Sequence, residues 1–148
     1  MARALAGCLL AVLGLGATTV ADAACDAGRL VFSCATARGN EIELCEDGPS
    51  VRYSFGEPGL APQLAITLPR TEVQRAPLRE LGKVESYALR IPYREATHIL
   101  YWSLDDAGAQ PEAGVQVFVE DRLRATMHCI PGQVRSNLSK AGFGGGSG

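Results

Sequence analysis

Sulfur and imidazole are the groups in this chain best suited to chemistry, and both are scarce. Its 148 residues include five cysteines, Cys8, Cys25, Cys34, Cys45 and Cys129, and two histidines, His98 and His128. A cysteine beside a histidine can serve as a nucleophile, and His128 directly precedes Cys129, but that chemistry needs a free thiolate. Four cysteines can also hold zinc, provided close pairs bring the ligands together. From Cys25 onward the spacings are 9, 11 and 84 residues, with no CxxC. His98 has Ser103 and Asp105 downstream in one strand-like run, and such neighbours do not converge as a triad must. The acid pairs Glu46-Asp47 and Asp105-Asp106 fall in turn-like stretches, where local hydrogen bonding favours these residues. No HxH, HExxH, GxSxG, phosphate-loop or dinucleotide pattern occurs. The sequence therefore predicts no catalytic residue, no metal site and no cofactor. It reads as a protein that is not an enzyme, with a hydrolase kept as an alternative.

What remains for the sulfur is cross-linking, and that depends on the compartment. Residues 1–23 read as a secretory leader: Arg3, an apolar run over 9–20, then Ala21-Asp22-Ala23, with cleavage expected between Ala23 and Ala24. The run is shorter than the ~20 apolar residues of a membrane-spanning helix. LAGC at 5–8 imitates a lipidation signal, but its apolar stretch follows the cysteine instead of preceding it. The expected location is the periplasm or the exterior, where an even set of Cys25, Cys34, Cys45 and Cys129 forms two disulfides. Acidic and basic side chains nearly balance, giving a net charge of -2 over the whole chain. Nucleic acid and anionic lipid, which both require a concentrated basic surface, are not expected partners. No membrane span is expected, and the oligomeric state is left open.

The elements that must place these cysteines read as strands. RLVFSC (29–34) and EIELC (41–45) flank a turn expected at Arg38-Gly39, since glycine accepts a positive φ. That register sets Cys34 opposite Glu43 and Cys45 opposite Phe32, diagonal to one another and poorly placed for a mutual bridge. Cys25, just before the first strand and on the side where the second ends, then reaches Cys45 more easily than it reaches Cys34. The expected pairing is Cys25–Cys45 with Cys34–Cys129, unless a one-residue bulge shifts the hairpin. Further strand-like runs are SVRYSF (50–55), QLAITL (63–68), VESYALRI (84–91), THILYWSL (97–104), GVQVFVE (114–120) and RLRATMHC (122–129). The last two turn near Glu120-Asp121. The stretch 70–83 is charged and irregular, with room for a short helical turn. About eight antiparallel strands at short spacing predict an all-β domain over 24–136, a small antiparallel β-sandwich or closed barrel stapled by disulfides. The tail 137–148 is glycine-rich and is expected to be flexible, with Asn137-Leu138-Ser139 an accidental glycosylation pattern.

The succession FSC, a glycine turn, IELC, YSFGEPG, ALRIP and GVQVFVEDRLRATMHC resembles a group of small exported proteobacterial β-proteins. Members share an FSC…G…C…YRFGxPG opening and a closing hairpin that ends in cysteine, and the likeness spans most of the chain after the leader. The chain is more loosely similar to periplasmic lysozyme inhibitors, small disulfide-bonded β-proteins that insert a loop bearing serine and tyrosine into the lysozyme cleft. Its own Ser86-Tyr87 and Tyr53-Ser54 do not stand in an SGxY or GAxY loop.

For binding, the residues of interest are aromatic and arginine. Tyr101 and Trp102 are adjacent, so on a strand they point to opposite faces. Arg90, Tyr93 and Arg94 lie nearby around IPYREAT, and aromatic–arginine groupings favour protein interfaces. Arg90, Tyr93, Arg94, Tyr101 and Trp102 form the candidate binding surface. The functional expectation is an exported, non-enzymatic protein with a protein partner in the envelope. The alternatives are a lysozyme-inhibitor-like protein and a small structural envelope protein.

Overall fold

Alternating β-branched and aromatic residues, interrupted by turn residues at short intervals, build nine strands in the computed structural model. It describes Cys25 and residues 28–77, 83–105 and 110–144. The expected leader, 1–23, and its expected cleavage point lie outside the described residues. The strands are β1 (Arg29–Thr36), β2 (Glu41–Asp47), β3 (Ser50–Gly56), β4 (Leu64–Pro69), β5 (Gln74–Arg75), β6 (Lys83–Tyr93), β7 (Ala96–Asp105), β8 (Glu112–Val119) and β9 (Arg122–Ser136). All eight expected strands are present. The irregular stretch adds the two-residue β5 and a 3-10 turn, Arg70–Glu72.

Every neighbouring pair is antiparallel, in the order β4-β3-β2-β1-β9-β8-β7-β6-β5, and the sheet curls into a half-barrel. Neither a two-sheet sandwich nor a closed barrel is confirmed: β4 and β5 end the ladder and share no pairing among the described residues. The bend lies in β9. Residues 130–133 of β9 stand against Ala35 alone on β1, and Gly132 takes φ +81° within that bulge. A bulge of this kind turns one long strand into a corner. The first half of β9 pairs with β8, while its end pairs with β1.

The curl sets two walls of side chains against each other. Phe32, Leu44, Tyr53 and Ile66 align across β1 to β4, and Leu89, Leu100, Val115 and Met127 align across β6 to β9. Together they form one apolar core. Burial of this kind is the main favourable term in folding, about 1.5–3 kcal/mol for each large apolar side chain.

The cysteines pair as Cys25–Cys45 and Cys34–Cys129, with Cα separations of 5.4 and 5.7 Å. The hairpin register differs from the expected one. Cys34 faces Ile42 instead of Glu43, Cys45 faces Leu30 instead of Phe32, and a bulge falls between Leu30 and Phe32. The cause is the turn, a three-residue loop over 37–39 in which Thr36 N donates to Asn40 O at 2.8 Å and Gly39 takes φ +79°. Three loop residues in place of two move the register by one as far as Phe32–Leu44, and the bulge beyond it moves Cys45 one further, onto Leu30.

The tail also departs from expectation. Residues 137–144 are not a loose end, and the domain does not stop at 136: Leu138, Ala141 and Phe143 are 2%, 1% and 4% exposed and belong to the core. Their backbone is anchored. Asn137 N donates to Val31 O and its side-chain amide to Leu30 O. Arg75 donates through its backbone N–H to Gly144 O and through its guanidinium to the carbonyls of Ala141 and Phe143. The Arg70 guanidinium lies 4.8 Å over the Phe143 ring and pairs with Glu46. Glycine content suggested flexibility, but three apolar side chains with a place to go outweigh it. Residues 145–148 lie outside the described residues.

Candidate functional site

The histidines occupy two different settings. His98 is buried on the inner face of β7, with Nδ1 3.1 Å from the Tyr53 hydroxyl of β3 and its ring edge-on to Tyr53. Burial holds its imidazole below the ordinary histidine range and raises the Tyr53 phenol far above its own. His128 is exposed on the other face, its Nδ1 3.2 Å from the Tyr101 hydroxyl. Each imidazole is thus hydrogen-bonded to a phenol. Ser103 stands an odd number of residues from His98 along β7, so it projects to the opposite face.

The five residues of the expected binding surface do not form one surface. Tyr93 and Arg94 stay together at the β6–β7 turn, with the guanidinium 5.2 Å over the ring. Arg90 is exposed on the outer face, opposite Ile99 and Gln74. Tyr101 is on that outer face too but is only 7% exposed. Trp102 is half-buried on the inner face. Six residues of strand separate it from Ala96, the partner of Tyr93, a distance of roughly 20 Å at the usual rise. The reason is geometric: proximity in sequence along a hairpin alternates faces and spreads residues along the strand.

Trp102 has a different companion. The two-residue turn at Arg94-Glu95 sets the ladder so that Trp102 faces Tyr87, with ring centroids 6.0 Å apart and planes tilted by 39°. The Tyr87 hydroxyl donates to Glu85 Oε1 at 2.9 Å, and this bond, with the carboxylate's charge, pushes the phenol's pKa up. Across from them stand Val134 and Ser136 on the inner face of β9, and Ser139 from the docked C-terminal segment. These six side chains line an opening of about 220 Å³ at one mouth of the half-barrel. Sequence reasoning missed Tyr87 and Glu85 as site residues, although counting back from Arg94-Glu95 would have paired Tyr87 with Trp102. Nothing in the sequence signalled Ser139, because its segment looked structureless.

A second concavity, about 350 Å³, lies on the outer face of β2 to β4 under the 57–63 loop; Glu41, Glu43 and Arg52 line it, and Leu60 is exposed at its rim. Burial pushes the Glu43 carboxyl above the ordinary range, opposed by a hydrogen bond from Cys25 N. Glu46 behaves the opposite way: burial pushes it up, but the guanidiniums of Arg29 and Arg70 outweigh that and hold it low. Cys25, Glu43 and Cys45 are grouped closely enough to suggest metal ligation, yet both sulfurs are spent in a disulfide and offer no thiolate. Among the described residues no helix is long and apolar enough to cross a membrane. No protein family, curated protein or solved structure compared with this chain matches it.

Proposed function

We propose that this chain is an exported, non-enzymatic binding protein that engages a protein partner at the mouth of its half-barrel. The observation that carries this reading is the Trp102–Tyr87 pair. Two large aromatic rings stand half-buried at an opening, held by a cross-strand ladder within a disulfide-tied frame. Rigid aromatic anchors are what protein interfaces use for affinity, because they bury much area at little conformational cost. Export through the leader 1–23 is part of the same reading. It is supported by the two disulfides, which persist in oxidising compartments. The fold itself reads as a barrel opened along one side, since only residues 70–73 separate its two edge strands in the chain.

The test uses the oxidised chain, immobilised and exposed to periplasmic extract, beside a Trp102→Ala variant of unchanged fold. The expected outcome is one protein retained at near-stoichiometric ratio by the parent and lost with Trp102→Ala. Retention that ignores the substitution, or no retention at all, overturns the reading in favour of a structural envelope role. Lysozyme activity is measured in parallel. Near-stoichiometric loss of that activity would name the partner and turn the reading into the inhibitor one.

A further inference from the structure

We propose that the opening lined by Tyr87 and Trp102 receives a cationic side chain, arginine or lysine, of the protein partner, with Glu85 as its counter-charge. This rests on the protein-binding reading above and names the chemistry of the same site. The two ring centroids lie 6.0 Å apart with their planes tilted by 39°, so a cation seated at the open rim beside them is drawn by the negative potential of both aromatic systems. Glu85 stands at the same rim, its carboxylate held in place by the Tyr87 hydroxyl. A carboxylate has about four acceptor positions, and the phenol occupies one of them. Among the described residues that line the opening, one is acidic and none is basic. Among the described residues Arg75 is the basic group whose charge reaches Tyr87, and its guanidinium is committed to the carbonyls of Ala141 and Phe143.

Size and polarity point the same way. An opening of about 220 Å³ is smaller than the usual 300–1,000 Å³ of small-molecule pockets and suits a single side chain. Ser136 and Ser139 add hydroxyl oxygens that can accept N–H bonds.

Trp102 is the only tryptophan in the chain, so its fluorescence reports on this cleft alone. The oxidised full chain is titrated with acetyl-Gly-Arg-Gly-amide, with the same peptide carrying neutral citrulline for arginine, and with chitotriose. The arginine peptide is expected to produce a saturable change with a dissociation constant on the order of millimolar. Binding should weaken at least about five-fold for citrulline, and equally for Glu85→Gln with the arginine peptide. A chitotriose signal that survives Glu85→Gln would overturn the proposal in favour of a saccharide site. Indistinguishable arginine and citrulline curves, or no change with any probe, would also overturn it. If partner capture depends on Trp102 while Glu85→Gln and citrulline change nothing, the cationic assignment falls and protein binding stands. An arginine signal with no partner captured would instead remove the protein source of the cation.

Discussion

His98 and Trp102 stand four residues apart on the same inner face of β7, yet one is sealed and the other half open. Their own strand does not explain the difference. His98 has Ile91 and Val117 as cross-strand neighbours, and Trp102 has Tyr87 and Ala113. Tyr93 of the neighbouring β6 adds an edge-on ring 6.4 Å from His98, and the larger difference is the far wall. Opposite His98 the curl of the sheet brings Tyr53, a fully buried ring whose hydroxyl reaches the imidazole. Opposite Trp102 it brings Val134, Ser136 and Ser139, which are too small to close the gap. An aromatic residue becomes core or site according to what faces it across the barrel.

The strongest way to break this comparison is to remove one ring from each place. Tyr53→Ala should cost about 3–5 kcal/mol, as buried aromatic truncations do. Tyr87→Ala, at the open mouth, should cost no more than about 1 kcal/mol. Phe143→Ala belongs with the sealed set and should fall in the same 3–5 kcal/mol range, since its ring is 4% exposed. Urea unfolding with both disulfides intact measures all three. Equal losses for Tyr53 and Tyr87 would mean the mouth is filled in solution.

Acid separates the two places next. Burial sets the folded pKa of His98 below its unfolded value of 6.5. Between those two values the unfolded chain holds a proton that the native chain does not. Stability is therefore complete above about pH 6.5 and falls as pH drops through the window below it. His98→Val should flatten that slope, whereas Trp102→Phe should leave it intact. The slope of the variant is read against that of the parent, because two carboxylates also titrate on the acid side with opposite signs. Glu46, with its depressed pKa, withdraws stability as pH falls through that range, and Glu43, with its raised pKa, returns some. An unchanged slope in His98→Val would show that the imidazole is solvated.

Most of the ladder was legible in the sequence because alternation and turn residues are local signals. Glu120 and Asp121 both take positive φ in the predicted two-residue turn, and every strand-like run found its place. The curl was not legible, since it depends on a bulge in β9 that sets four residues against one. The docking of Leu138, Ala141 and Phe143 was hidden for a related reason. Composition describes what a segment does alone, and this one acts by filling a space that other elements create. The candidate site failed on the same point: Trp102 was visible, but its far wall includes Ser139 from the segment that had been set aside.

Filling that far wall is the smallest perturbation and the sharpest. Ser139 is exposed and lines the mouth opposite the aromatic pair. Ser139→Leu places an apolar side chain where His98 has Tyr53, converting the open end towards the sealed one. The effect on stability should stay within about 1 kcal/mol, because the added contact offsets little more than the ordering of one side chain. Trp102 emission should shift to the blue as water leaves the ring, and the arginine-peptide response should disappear. Both optical changes depend on the cleft being open in the parent chain. If Ser139→Leu leaves emission and peptide response as they were, the leucine does not reach the rings, and the small far wall cannot be what keeps Trp102 accessible.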